Sequence, residues 1–178
     1  MNVLDKDASG GASAGQPALV VVAFDDGLQI VTFDPALRAE FRRLNVAWLE
    51  RYFRVEPIDE RVLGDPENEI LAHGGEVLFA LLEGEVVGTA ALKRERDHEF
   101  ELTKMAVEER MQGRGYGARL LQAACAVARS RGARRVILYS QRGLKAAIGM
   151  YFKYGFTELP VQDARYSRCD IMMEKRLD

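Results

Sequence analysis

The run Gln112-Gly113-Arg114-Gly115-Tyr116-Gly117 is where the residue types and spacing of this sequence first suggest chemistry. It follows an apolar segment ending at Val107 and opens into the helical pattern Ala118 to Ser130, so a strand, a glycine loop and a helix start succeed one another. A helix N-terminus leaves its first N–H groups without intrahelical partners at the positive end of the dipole, which suits a pyrophosphate. Glycines let the backbone approach phosphate oxygens and adopt the positive φ values of an anion nest. Arg114 adds a charged donor. The loop therefore points to a phosphate-bearing cofactor.

Three other readings compete. A nucleotide P-loop needs Lys and then Ser or Thr after the last glycine, whereas Ala118 and Arg119 follow Gly117, which excludes it. Gly113, Gly115 and Ala118 satisfy G-x-G-x-x-A formally, but a dinucleotide site also needs an acid at the end of the next strand, and that strand ends in Ser140 and Gln141. A plain turn before a helix remains open on these residues alone.

The elements that must position this loop can be read from periodicity. Leu19 to Phe24 and Leu28 to Phe33 flank Asp25-Asp26-Gly27 as a hairpin. Asp34 caps a helix that Pro35 begins, with Leu37, Phe41, Leu44, Trp48 and Tyr52 as its buried stripe. A second helix is expected over Pro66 to Ala72, stopped at His73-Gly74-Gly75. Strands Val77 to Leu82, Val86 to Lys93 and Phe100 to Val107 form a meander. A helix Gly117 to Arg131, a strand Arg135 to Ser140, a helix Lys145 to Tyr154 and a strand near Asp170 to Glu174 follow the loop. Strands first, then alternating helix and strand, imply an α/β (α+β) fold: a mixed sheet with helices on both faces.

Gln112-x-x-Gly115-x-Gly117 resembles the Q/R-x-x-G-x-G/A signature of the GNAT superfamily of acyl-CoA N-acyltransferases. Glu101-Leu102-Thr103-Lys104-Met105-Ala106-Val107 is similar to that superfamily's central strand, and Ala146 to Phe156 is similar to its A-x-x-x-Y-x-x-x-G-F motif. Tyr166 to Glu174 resembles the last strand of a bacterial subgroup. The resemblance spans about Val77 to Glu158 and implies a mostly antiparallel central sheet with a V-shaped cofactor cleft.

It also implies acetyl-CoA as cosubstrate, its pantetheine arm paired with the backbone of Met105, Ala106 and Val107 and its pyrophosphate on the N–H groups of residues 112–117. Such pairing is β-augmentation, which uses backbone groups otherwise left as an open edge. Glu101 matches the general-base glutamate of histone-type members and, by strand alternation, shares a face with Thr103 and Met105 unless a bulge re-aims it. As surface residues at a strand start are commonly Glu, that simpler role stands beside it. Tyr151 matches the tyrosine near the CoA sulfur, where a phenol can donate to a thiolate; the alternative is an aromatic anchor between helix and sheet. The sequence departs from the pattern at Leu144, where many members carry Asn, and Gln141 stands where the bacterial subgroup places one.

The acceptor pocket in this superfamily is built from the first helices and meander loops, which points to Asn45, Trp48, Tyr52, Glu56, Asp59 and Glu60. Acids beside aromatics suit a cationic amine. Arg129, Arg131, Arg134 and Arg135 are placed either to meet the 3'-phosphate of CoA or, as cations at a helix C-terminus, to complement its dipole. His73 and His98 sit beside turns without partners at ligand spacing, so no metal is expected.

Bulk properties agree with one enzyme domain over residues 18–178 after a Gly-, Ser- and Ala-rich tail at 1–17. The 178 residues are 48% hydrophobic and 29% charged with a net charge of -2, which gives no electrostatic reason to expect nucleic acid or anionic membrane. No apolar run suggests a span or signal peptide, so the expected location is cytoplasmic. Cys125 and Cys169 read as small buried apolar residues. The expected activity is transfer of acetyl from acetyl-CoA to a primary amine by direct attack. The acceptor is a small molecule or a protein amine, and a homodimer is an assembly to consider. The alternative is a non-catalytic acyl-CoA-binding regulatory module.

Overall fold

The computed structural model describes residues 19–161 and 167–177. The N-terminal tail and the Tyr166 end of the last motif therefore lie outside the described residues. Strands β1 (Val20–Ala23) and β2 (Leu28–Val31) form the expected hairpin, with Gly27 at a φ of +83° and its N–H bonded to the Phe24 carbonyl at 3.0 Å. Asp34 caps the next segment by accepting from the Ala36 N–H at 2.8 Å. Pro35–Leu37 is a 3-10 turn that leads into α1 (Arg38–Tyr52).

Two elements were not expected from the sequence. Helix α2 (Pro57–Gly64) starts at a capping box in which the Asp59 carboxylate accepts from the Glu56 N–H at 3.0 Å. Strand β7 (Thr157–Leu159) has three residues, too few to show a period. The helix expected over 66–72 is instead α3 (Pro66–Glu69) followed by a 3-10 turn at Leu71–His73, which Gly74 ends at a φ of +80°.

The remaining elements are β3 (Glu76–Leu82), β4 (Glu85–Arg96), β5 (Glu99–Val107), α4 (Tyr116–Ser130), β6 (Arg135–Ser140), α5 (Lys145–Lys153) and β8 (Ile171–Arg176). They complete one eight-stranded sheet in the order β1-β2-β3-β4-β5-β6-β8-β7. Every pairing is antiparallel except β5 with β6. This is a mixed, mostly antiparallel sheet.

Helices cover both faces. Leu120, Leu121, Ala124 and Ala128 of α4 pack against Leu78, Ala90, Leu92, Phe100 and Leu102. On the other face Phe41, Leu44 and Leu49 of α1 and Val62 and Leu63 of α2 pack against Val77, Phe79, Ala91 and Ala106. Truncating a side chain as enclosed as Leu120 to Ala costs about 2–5 kcal/mol in such a core. Gly88 lets α4 sit this close, because a Cβ there would stand 2.9 Å from Leu120 Cδ1. The stripe of α1 departs from expectation at its C-terminal end: Leu49 enters the core, whereas Trp48 is half-buried and Tyr52 is 43% exposed.

Candidate active site

The sheet opens at its centre. β5 pairs with β6 only from Glu99↔Arg135 to Leu102↔Leu138, yet it stays paired with β4 as far as Gly88↔Val107. Beyond Leu102 the two parallel strands part, and among the described residues no strand pairs with the edge of β5 over residues 103–107, which faces a gap. Within this stretch one β4 residue lies opposite two of β5, since Ala91↔Thr103 is followed by Thr89↔Ala106. That is a β-bulge, and Lys104 within it has a φ of +48°. A left-handed non-glycine residue costs on the order of 1–3 kcal/mol and persists only where its surroundings hold it.

The bulge changes which residues share a face. Met105 and Val107 pack toward α4, while Ala106 packs toward α1 and α2. Thr103 pairs with Ala91, which belongs to the α1 side. The simple alternation that would put Glu101 on one face with Met105 is thus overturned by one extra residue.

The glycine loop crosses the end of this gap. A 3-10 turn at Glu109–Met111 leads to Gln112, whose Nε2 donates to the Val107 carbonyl at 3.1 Å. Gly113 and Gly115 have φ values of +77° and +82°, and Gly115 is the N-cap of α4. No side-chain oxygen caps that end, so the first N–H groups of α4 open toward the cleft. No atom beyond its chain neighbours lies within 4 Å of the place a Gly115 Cβ would occupy, and one on Gly117 would have Met105, Val107 and Met150 as its nearest neighbours, at 3.5 Å or more. The cradle is kept open by missing side chains. Arg114 is exposed and stands outside the cleft lining, whereas Tyr116 is buried and part of it.

These parts enclose a cleft of about 760 Å³. Met105, Ala106, Val107, Gln112, Gly113, Gly115, Tyr116 and Gly117 line one end of it. Tyr151 lines it from α5, its ring 5.8 Å from that of Phe156. Burial pushes the Tyr151 phenol up to about 12, so it keeps its proton at neutral pH. Leu144 and Gln141, the positions that depart from the family pattern, also line the cleft.

At the other end Asn45, Trp48, Tyr52 and Phe53 form the wall. The Trp48 ring lies 5.5 Å from both Tyr52 and Phe53, and Asn45 is held by its Nδ2 donating to the Phe41 carbonyl at 2.9 Å. Arg168 and Cys169 close this end, a contribution with no local sequence signal, since the Arg168 guanidinium reaches residues 109 positions away. Burial pushes the Cys169 thiol up to about 11, so it is protonated at neutral pH and not poised as a nucleophile.

Glu101 and Glu56 are not on the lining. Glu101 is 2% exposed, whereas its neighbours Leu102 and Thr103 are on the lining. Glu56 accepts from Ser167 Oγ at 2.8 Å and lies 3.2 Å from Arg168. Asp59 is fully buried and accepts from Lys104 Nζ at 2.6 Å and from both terminal nitrogens of Arg168 at 2.9 Å. Burial alone would raise its pKa, but the bonds from Arg168 and Lys104 outweigh this and hold it below the ordinary carboxylate range. The expectation that Asp59 and Glu60 offer charge to a cationic acceptor fails for this reason, because Glu60 pairs with Arg42 at 2.7 Å on the surface.

Two of the four arginines at and after the end of α4 are held by carboxylates of the sheet. Arg131 bonds Glu76 at 2.5 Å, and Arg135 bonds Glu99 and Glu174. They lie at the end of α4 opposite the glycine loop, roughly 20 Å along a 15-residue helix. His98 occupies a turn with Nδ1 2.7 Å from the Gly132 carbonyl. Among the described residues no group of His, Cys, Asp and Glu is placed to hold a metal ion, and no helix is long and apolar enough to cross a membrane.

Comparisons with known proteins agree with this architecture. The acetyltransferase (GNAT) family model matches residues 36–156. An acetyltransferase of the GNAT family from Staphylococcus aureus Mu50 superposes with a TM-score of 0.76 at 19% identity, over 85% of this chain and 99% of that one. An acetyltransferase from Streptococcus agalactiae 2603 gives a TM-score of 0.75 at 22% identity, over 86% and 100%. The yncA structure from Salmonella typhimurium, with its cofactor acetyl-CoA, gives 0.68 at 24% identity, over 85% and 94%. No curated protein matches the sequence. The family model runs from the start of α1 through both strands of the split and the whole glycine loop to Phe156, and the chain therefore belongs to the GNAT acetyltransferase family.

Proposed function

We propose that this protein is an N-acetyltransferase that moves an acetyl group from acetyl-CoA to a primary amine by direct attack. The observation that carries this reading is the convergence, in one cleft, of an unpaired strand edge, an uncapped glycine-rich helix start and a protonated tyrosine. An extended chain bearing amides and a pyrophosphate would satisfy the first two together. The edge at Met105, Ala106 and Val107 supplies backbone partners for the amides, and residues 112–117 supply N–H groups for the phosphates. The acetyl-CoA held by yncA supports that choice of donor.

In the reaction, the nitrogen of a neutral amine attacks the thioester carbonyl carbon. Collapse of the tetrahedral species breaks the C–S bond and yields an amide, the CoA thiolate and one proton. Tyr151 stabilises the departing sulfur by hydrogen bonding, since a phenol near 12 is too weak an acid to give its proton fully to a thiolate whose own pKa is about 8.5. Glu101 takes the amine proton through water, because its side chain is buried and is not itself part of the lining. A cytoplasmic location belongs to the same reading. The test is steady release of CoA thiol from acetyl-CoA across a broad panel of amines. Sustained amine-dependent release is expected, whereas binding without release would identify a regulatory acyl-CoA module.

A further inference from the structure

A charge cluster in the cleft wall has no role in the transfer steps described above: Lys104 and Arg168 are part of the lining, and Asp59 lies behind them. Asp59 joins three regions far apart in sequence: the first turn of α2, the bulge of β5 through Lys104, and the segment before β8 through Arg168. The Asp59 and Lys104 side chains are 0% and 4% exposed, and that of Arg168 is 15% exposed. A buried ion pair adds little net stability over apolar packing, and its best attested use is to specify one geometry among several.

The geometry specified here is unusual. Lys104 holds its left-handed φ without a glycine's freedom, at the residue pair where β5 has one position more than β4. The extra residue lies just past Leu102, the last β5 residue paired with β6. It sends Met105 and Val107 toward α4 and turns their backbone edge to the gap. If β5 ran without the bulge, Met105 would turn to the face of Glu101 and Thr103 and the register of the open edge would change.

We propose that the Asp59–Lys104–Arg168 cluster is a positioning device that pins the β5 bulge and so presents the Met105–Val107 edge to the pantetheine arm of the acyl donor, an inference that rests on the donor reading above. Arg168 and Cys169, the wall of the acceptor end, hang on the same carboxylate through Arg168. Donor edge and acceptor wall are thereby held as one unit.

The experiment compares the wild type with Lys104→Met, which keeps the length of the side chain and removes its charge. Three quantities are read: thermal stability, amide hydrogen exchange over residues 103–107, and acetyl-CoA affinity by calorimetry without acceptor. The expected result, at a temperature where the variant is fully folded, is exchange at 103–107 at least tenfold faster and donor affinity about tenfold weaker. A structural role alone would lower the melting temperature and leave both local readouts unchanged, and that result would overturn the proposal. If Lys104→Met does not fold, Arg168→Lys keeps a charge but loses the two-point grip on Asp59. The same shifts, about threefold, are then expected, and unchanged values would overturn the proposal equally. A wild type that binds no acetyl-CoA would refute the donor reading, while the exchange result would still decide whether the cluster pins the bulge.

Discussion

Gln112 reaches back from the glycine loop and donates from Nε2 to the carbonyl of Val107 at 3.1 Å. The bond ties the loop to the last residue of β5, so the two surfaces proposed to hold the donor, one for amides and one for phosphates, cannot move apart freely. A glutamine at this position acts through geometry and not through charge.

The phosphate cradle predicts an asymmetry between two glycines. Gly117 has an ordinary backbone, and a Cβ there meets only flexible side chains at 3.5 Å or more, so Gly117→Ala should melt within a degree or two of the wild type. Its methyl group would nevertheless stand in the cleft, and loss of a charged hydrogen bond there should weaken acetyl-CoA binding about 10- to 100-fold. Gly115→Val should weaken binding similarly but also destabilise the fold, because the φ of +82° disfavours a β-branched residue. Calorimetry on both variants checks this, and unchanged affinity in both would return the loop to a plain turn.

Tyr151→Phe should lower turnover by about 10²-fold or more and leave acetyl-CoA affinity nearly intact, since only the hydroxyl is removed and the packing against Phe156 remains. With a phenol near 12, the tyrosine should introduce no loss of activity at any pH below about 10. Single-turnover kinetics would show this. Wild-type rates in the variant would make Tyr151 an aromatic anchor.

Glu101→Gln keeps size and hydrogen bonding but cannot accept a proton. Because an alkyl ammonium has a pKa near ~10.4, the rate near neutral pH should fall by about 10²- to 10⁴-fold and recover partly as alkaline pH frees the amine. A pH–rate profile that overlays the wild type would remove Glu101 from the mechanism. Asp59 would not replace it, since Arg168 and Lys104 occupy its oxygens and lower its pKa, which makes it a poor proton acceptor.

Asp59 also predicts an acid limb of stability. Its folded pKa is held below the ordinary 3.8, so the stabilisation is complete above the unfolded carboxyl range and is lost as pH falls through the folded value. Asp59→Asn removes the anion shared by Lys104 and Arg168, of which Arg168 keeps Glu56 at 3.2 Å, and should cost about 3 kcal/mol at pH 7. The variant should lose less than the wild type on acidification below pH ~4. Urea melts at pH 7 and pH 3 test this, and an equal stability difference at both would show that Asp59 does not supply the acid limb.

What the sequence disclosed follows the range of each interaction. The glycine loop, α4 and the meander were legible because turns, caps and periods are local, and residues 112–117 fall where their composition implied. Helix α2 carried a local sign, Glu56-Pro57 with Asp59 three residues past the cap, but its acids read as charge offered to an acceptor and not as a helix start. The bulge was not legible: Glu101, Thr103 and Met105 alternate as in a regular strand, and only the cross-strand register reveals that Lys104 is one residue too many. Nor could sequence show that Glu56 and Asp59 belong to Arg168, because their contact closes a loop of more than one hundred residues. Trp48 and Tyr52 continued a helical stripe on paper; the gap between β5 and β6 gives both a cleft to line, Trp48 while still packed against the core.

The most direct test of the central claim is the stoichiometry of the transfer itself. Wild-type protein is mixed with acetyl-CoA and an accepted amine, and released thiol, acetylated amine and intact protein mass are measured in the same samples over several turnovers. The account predicts equal amounts of thiol and acetylated amine with no acetyl group on the protein. Thiol without acetylated amine, or an acetylated protein that forms and decays in step with turnover, would contradict direct transfer in this cleft.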